Sequence, residues 1–147
     1  MGKGFWMFLA LISGALLPIQ AGLNSKLGKA TGSPIYAAAF SFLTGTIALF
    51  LYIVVTGQTI NWQQLRNVHF AYWLGGLLGA FYVSATIYAF PKIGPALTFG
   101  LVVASQMIIS VIMDHYNILV AQPHPINIWR IFGIVMIIAG VIIIRKF

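Results

Sequence analysis

Long apolar blocks alternate with short polar breaks along this chain. The apolar runs are continuous, which is typical of buried helices, whereas the strands of a closed membrane barrel alternate apolar and polar positions. A helix that crosses a bilayer takes roughly 17–25 residues, and it satisfies its own backbone hydrogen bonds in lipid. The pattern predicts an all-α membrane protein with a single domain over residues 1–147. Its five transmembrane helices are predicted at residues 5–23, 34–56, 70–90, 96–117 and 128–144.

The breaks between these blocks are short and carry the residues that end helices. The first block is predicted to end in a polar turn over residues 24–29, and Pro34 suits the first turn of the next helix because no partner exists there for its missing N–H. Two prolines around Gly94 predict a tight turn over residues 91–95. Connections this short favour antiparallel packing of consecutive helices within one bundle.

Composition and charge agree with a membrane protein and argue against several other classes. Hydrophobic residues make up 61% of the chain and charged residues 6%, against about 25% charged residues in a typical soluble domain. The net charge of +7 comes from basic residues scattered among the ends of the blocks, which indicates anchoring at the membrane surface and not a nucleic-acid partner. We find no phosphate-binding loop, metal-ligand set, nucleophile–base pair or paired carboxylates. We therefore predict no enzyme activity, cofactor or metal.

Charge encodes the orientation of the chain only weakly. Five crossings place the two termini on opposite sides of the membrane. The N-terminal side has three basic residues, and the side with the C-terminus has five. The positive-inside rule then favours a cytoplasmic C-terminus, while so small a bias also permits insertion in both orientations. The three residues are Lys3, Arg66 and Arg130, and the five are Lys26, Lys29, Lys92, Arg145 and Lys146.

The third span carries small residues at the spacing of close helix packing. Gly75 and Gly79 are four apart, as are Gly76 and Ala80, and small residues one turn apart let helices approach closely in lipid. These four are predicted packing residues within a bundle or between two copies. Tyr82 extends the Gly75/Gly79 face; it is a candidate cavity wall for a substrate, although packing is the more common role.

Two spans carry polar side chains on one helical face. In the first span Gln20 and Asn24 are four apart, and Pro18 predicts a kink there because it leaves the carbonyl of Gly14 without its usual donor. Such residues are costly in lipid and tend to face protein or water. Gln20 and Asn24, together with Pro18, predict a substrate-facing bend in the first span, or alternatively a kink packed on another helix. In the fourth span Gln106 lies near the middle and is a second candidate for substrate binding.

Asp114 is the only acidic residue of the chain and lies on the same face as Gln106, with His115 beside it. One hypothesis makes Asp114 and its neighbour His115 a proton-responsive coupling site or a gate. The other makes Asp114 an interfacial carboxylate in a salt bridge with Arg130 or Lys92.

As a set, these patterns resemble the YdcZ family of small bacterial inner-membrane proteins, within the drug/metabolite transporter superfamily. Ser105 and Asn117 stand where the family pattern leads us to expect glycine. The resemblance rests on residues along almost the whole chain: Gly14-Ala15 with Pro18, Gln20 and Asn24; Ser41-Phe42 with Gly45-Thr46; Leu74-Gly75-Gly76 with Gly79-Ala80-Phe81-Tyr82-Val83; Pro91 with Ile93-Gly94; Ser105-Gln106; and Asp114-His115.

The resemblance implies a five-helix half of a ten-helix transporter built from inverted repeats. By analogy with fused relatives, a second copy inserted upside down would complete an antiparallel homodimer that works by alternating access. The expected function is export of small organic metabolites or drugs across the bacterial inner membrane. Four candidate residues would contact the substrate: Gln20, Asn24, Gln106 and Tyr82. The alternative is a non-transporting scaffold or accessory subunit of a larger membrane complex.

Overall fold

The computed structural model describes residues 2–120 and 122–147, and within them the chain is helical, without strands. Five helices are long and apolar enough to cross a membrane, which confirms the predicted fold class. The connection between the second and third of these five helices contains a short helix and a 3-10 turn at Phe70–Trp73. The helices are α1 (Lys3–Thr31), α2 (Pro34–Thr56), α3 (Trp62–Arg66), α4 (Leu74–Ile93), α5 (Pro95–Tyr116) and α6 (Ile128–Lys146).

The first helix continues through the segment that was predicted to form a polar turn. α1 ends at Thr31, not near Leu23. The polar residues Asn24 and Ser25 are buried within the helix packing, so their polarity marks an interior contact and not an exposed turn. The helix stops at Gly32, whose φ of +72° is a left-handed conformation that favours glycine.

The fourth helix likewise runs past its predicted end. Pro91 lies inside α4, which continues to Ile93. A proline in the last turn removes only the backbone bond that would reach the carbonyl of Ile87, so the turn is completed around it. The connection to α5 shrinks to Gly94, with φ +79°, and Pro95 occupies the first turn of α5.

The chain divides into two compact units, one reaching to Lys92 and one covering Ile93–Phe147. In the first unit, Ala37, Ala38 and Ile87 form a small core. Gly28 allows a close approach there, because a Cβ at this position would lie 3.4 Å from the Cα of Pro34. In the second unit α5 packs on α6, and Gly100 faces Val141. Most large apolar side chains outside these contacts are exposed, as expected of helices surrounded by lipid.

Candidate functional site

A cavity with polar and apolar walls lies between the middle portions of α1 and α2. Its volume is about 260 Å³. Gln20 of α1 lines it together with two hydroxyl-bearing residues of α2, Ser41 and Thr46. Phe42 and Leu49 supply apolar wall, and Gly45 completes the lining. All of the lining residues except Ser41 are exposed, so the cavity is open to the surroundings of the helix pair.

Asn24 joins the two helices beside this cavity. Its side-chain Nδ2 donates a hydrogen bond to Ser41 Oγ at 3.2 Å, and Asn24 is only 6% exposed. The hydroxyl of Ser41 accepts this bond and retains one proton to donate. Asn24 therefore holds Ser41 in place next to the cavity and is not itself among the lining residues.

The predicted packing residues of α4 divide into two pairs. Among the described residues, no group of another element lies within 4 Å of the position of a Cβ at Gly75 or Gly76. A Cβ at Gly79 would lie 3.7 Å from the ring of Phe42, and Ala80 is partly buried. Gly79 thus gives room to the aromatic wall of the cavity, whereas the face at Gly75 and Gly76 is open.

Tyr82 and Pro18 also lie in the first unit. Tyr82 is partly buried on α4 and does not line the cavity between α1 and α2. Pro18 lies inside α1, which is one helix from Lys3 to Thr31. It precedes Gln20 by two residues, at the level of the cavity.

Gln106 belongs to the second unit. It lies at the middle of α5 and is exposed. Within residues 2–120 and 122–147 its side-chain amide makes no hydrogen bond to the protein. The neighbouring Ser105 is satisfied within its own helix, since its Oγ donates to the carbonyl of Val102 at 2.9 Å.

Asp114 forms a salt bridge with Arg130, which ties the end of α5 to the start of α6. The two side chains are 23% and 28% exposed. Arg130 also donates from Nη1 to the carbonyl of His124 at 2.7 Å. One of the two partners considered for Asp114 from the sequence is therefore the partner in the structure.

His115 contributes a second tie to the same connection. Its Nδ1 accepts a hydrogen bond from the backbone N–H of Ile126 at 3.3 Å. Asn117 ends α5 with φ +54°, and asparagine tolerates this left-handed conformation better than most non-glycine residues. This explains how asparagine can stand where the family pattern leads us to expect glycine.

A larger recess lies elsewhere in the first unit. It has a volume of about 620 Å³ and follows residues 59–66, in the connection that contains α3. All six residues that line it are loop or α3 residues, and all six are exposed. The smaller cavity at Gln20 is the better candidate because it lies within the spans, where polar groups are costly unless they have a role.

Comparison with known proteins identifies the family. The model of the family described as "Putative inner membrane exporter, YdcZ" matches residues 5–143. The chain belongs to the YdcZ family. The inner membrane protein YdcZ of Escherichia coli (strain K12) is 25% identical over 135 residues, which cover 90% of this chain and 87% of that protein. No solved structure matches the chain significantly.

Membership of the YdcZ family confirms the resemblance that the residues indicated. With its five apolar helices, the chain is a multi-pass protein of the inner membrane in contact with lipid. The family description is that of an exporter, which is a kind of transporter.

Sequence reasoning selected Gln20 but not its neighbours in the cavity, Ser41 and Thr46. Both lie on α2, five residues and thus about 140° apart around the helix axis. Ser41 and Gly45 stood out in the sequence as small residues on one stripe of α2 and, with Thr46, as part of the family pattern, but not as candidates for substrate contact. The signal that was available is the set of three hydroxyl-bearing residues in the middle of a largely apolar span, Ser41, Thr44 and Thr46.

Proposed function

We propose that this YdcZ-family protein transports small organic metabolites or drugs out of the cell, by alternating access in an antiparallel homodimer. The single observation that carries the proposal is the open cavity at Gln20, Ser41 and Thr46. It places hydrogen-bonding groups at mid-span, next to an aromatic wall. A scaffold protein has no need of such a cavity.

The size of the cavity supports the requirement for a second copy. Sites for small molecules usually have volumes of roughly 300–1,000 Å³, and the cavity of one chain has about 260 Å³. Its open side leaves a bound molecule incompletely enclosed. A second copy that covered this side would enlarge the site and close it from lipid.

Two further features support an association of copies. The exposed amide of Gln106 lies in the middle of a span, where an unpaired polar group is costly. The open face at Gly75 and Gly76 has the small residues that favour close helix contacts. Because the number of crossings is odd, an inverted second copy would present the same cavity to the opposite side of the membrane.

In this proposal, Asp114 and His115 form a gate at one end of the second unit. The salt bridge to Arg130 and the bond from Ile126 to His115 fix the connection between α5 and α6. Breaking this salt bridge and this hydrogen bond would allow the ends of both helices to move. Asp114 is thus a candidate coupling group through its partner Arg130, at a distance along α5 from Gln106.

Transport is tested by flux into proteoliposomes over a panel of neutral, cationic and anionic organic compounds. For any compound that is transported, Gln20→Ala and Thr46→Val should each reduce flux about tenfold at limiting concentration, the loss expected for one or two hydrogen bonds. Thr44→Val is the matched control, since Thr44 donates to the carbonyl of Phe40 in its own helix and does not line the cavity. Unchanged flux in both cavity variants would refute the cavity as the substrate-binding site. No flux of any compound would refute transport.

The antiparallel dimer is tested by topology mapping. The chain has no cysteine, so one cysteine added at either terminus can be labelled without background by a reagent that does not cross the membrane. Labelling of each terminus from both sides of the membrane is the expected result. Labelling from one side only would refute the inverted arrangement while leaving transport to be judged by flux.

A further inference from the structure

We infer that the cavity between α1 and α2 selects uncharged molecules that have an apolar body and an amide or hydroxyl group, and that it rejects organic cations and anions. This inference rests on the proposed function, which it sharpens by naming a substrate class. It follows from the chemistry of the lining and from the distribution of every ionisable group in the chain.

The polar groups of the cavity are neutral and can both donate and accept hydrogen bonds. Gln20 offers a carbonyl acceptor and an NH₂ donor, and the hydroxyls of Ser41 and Thr46 do both. Phe42 and Leu49 provide the apolar surface beside them. A neutral amide or alcohol with a small apolar body would satisfy these groups without leaving an unpaired charge.

A cation would find no free counter-ion in the protein. Asp114 is the only acidic side chain of the whole sequence, and it is paired with Arg130. A second copy adds only another such pair. A charge within a membrane protein is costly unless it is paired. The free-energy cost of moving a cationic ligand into the cavity would therefore exceed the free energy gained from its hydrogen bonds.

An anion would also lack a partner within the cavity. None of the lining residues is basic. The basic residue nearest along α1 is Lys26, six residues after Gln20, which corresponds to about 9 Å along the helix axis. Lys26 lies toward the end of α1, where its ammonium can reach water or lipid headgroups.

Three compounds of the same shape separate the possibilities. Benzamide is neutral, benzamidinium is its cationic counterpart and benzoate its anionic counterpart. Equilibrium binding of each radiolabelled compound to the full-length protein in nanodiscs should show benzamide bound on the order of tenfold or more tightly than either ion, a ratio that reflects the cost of the unpaired charge. The competition of each ion with labelled benzamide should follow the same order.

A charge introduced into the cavity should reverse this preference. Gln20→Glu keeps the shape of the side chain and supplies a carboxylate, so it should improve binding of benzamidinium about tenfold and weaken binding of benzoate. Thr44→Glu is the matched control. Thr44 does not line the cavity, and its hydroxyl donates to the carbonyl of Phe40 in its own helix, so its variant should leave the preference unchanged.

The outcomes separate this inference from the proposal on which it rests. Binding of benzamidinium or benzoate to the wild type as tight as that of benzamide overturns the substrate class and leaves transport intact. Equal responses of Gln20→Glu and Thr44→Glu overturn the cavity as the binding site. Binding of none of the three compounds overturns this inference as well, and the flux panel then decides separately whether the protein transports anything.

Discussion

From the contact between Gly100 of α5 and Val141 of α6, we predict quantitatively how a substitution changes the stability of the second unit. A Cβ at position 100 would lie 3.1 Å from Val141 Cγ2 and 3.5 Å from Cγ1. Non-bonded carbons pack best at about 3.5–4.0 Å. The substitution Gly100→Ala therefore places one methyl group about 0.4–0.9 Å too close to a buried side chain.

Two opposing terms set the size of the effect. Overpacking a well-packed interior costs about 1–3 kcal/mol. Alanine in a helix gains about 1 kcal/mol over glycine. Gly100→Ala should therefore lower the free energy of unfolding by about 0–2 kcal/mol. Gly133→Ala is the control, because no other group of the described chain lies within 4 Å of a Cβ there; it should be neutral or stabilising.

A double-mutant cycle isolates the contact itself. Val141→Ala alone loses packing, since Val141 is only 8% exposed, but it also removes the methyl groups that Gly100→Ala would meet. The double variant should be more stable than the sum of the single effects predicts, with a coupling energy of about 1 kcal/mol or more. The free energies would be measured by unfolding in mixed micelles, followed by circular dichroism. Additivity within about 0.5 kcal/mol would show that the two positions are not in contact.

Two further predictions concern polar contacts. Asp114→Asn removes the charge opposite Arg130 but keeps the shape, so it should lower the free energy of unfolding by about 1 kcal/mol, as expected for a partly exposed pair, and speed proteolysis between α5 and α6. The control Arg145→Gln removes an exposed cation from the far end of α6 and should have neither effect. Equal effects of the two substitutions would mean that net charge alone is responsible. Ser41→Ala leaves the buried amide of Asn24 without its acceptor and should lower the free energy of unfolding by about 1–3 kcal/mol in the same assay. The control Ser105→Ala removes a hydroxyl bonded within its own helix and should lower it by less than about 0.5 kcal/mol. Equal losses of stability would contradict the hydrogen bond between Asn24 and Ser41.

The number of spans could be predicted because the length of an apolar run determines whether it can cross a bilayer. The ends of α1 and α4 could not. Asn24 and Ser25 are polar and so look like a turn, yet their burial in the first unit keeps them helical. Pro91 looks like a helix end, yet in the last turn it interrupts only one backbone bond. Helix ends in this chain depend on contacts between helices, which a single sequence does not display.

The candidate site was partly predictable for a related reason. A polar side chain within a span is costly in lipid, and Gln20 is conspicuous because it shares a helical face with Asn24 beside Pro18. A hydroxyl is ambiguous because it can bond to a carbonyl one turn earlier. Thr44 and Thr46 illustrate this, since they are the same residue type two positions apart: Thr44 bonds to the carbonyl of Phe40, and Thr46 lines the cavity.

Charged groups and neutral polar groups lie in different parts of this protein, and this separation limits the ways in which ligand binding can be coupled to protons. Charges lie at helix ends and in connections, where Asp114 and Arg130 fix the junction of α5 and α6. Neutral hydrogen-bonding groups line the cavity within the spans. Binding at the cavity therefore involves no protonation of a carboxylate in its wall. Any coupling to protons through the single acidic residue must act on the junction, by loosening the salt bridge between Asp114 and Arg130.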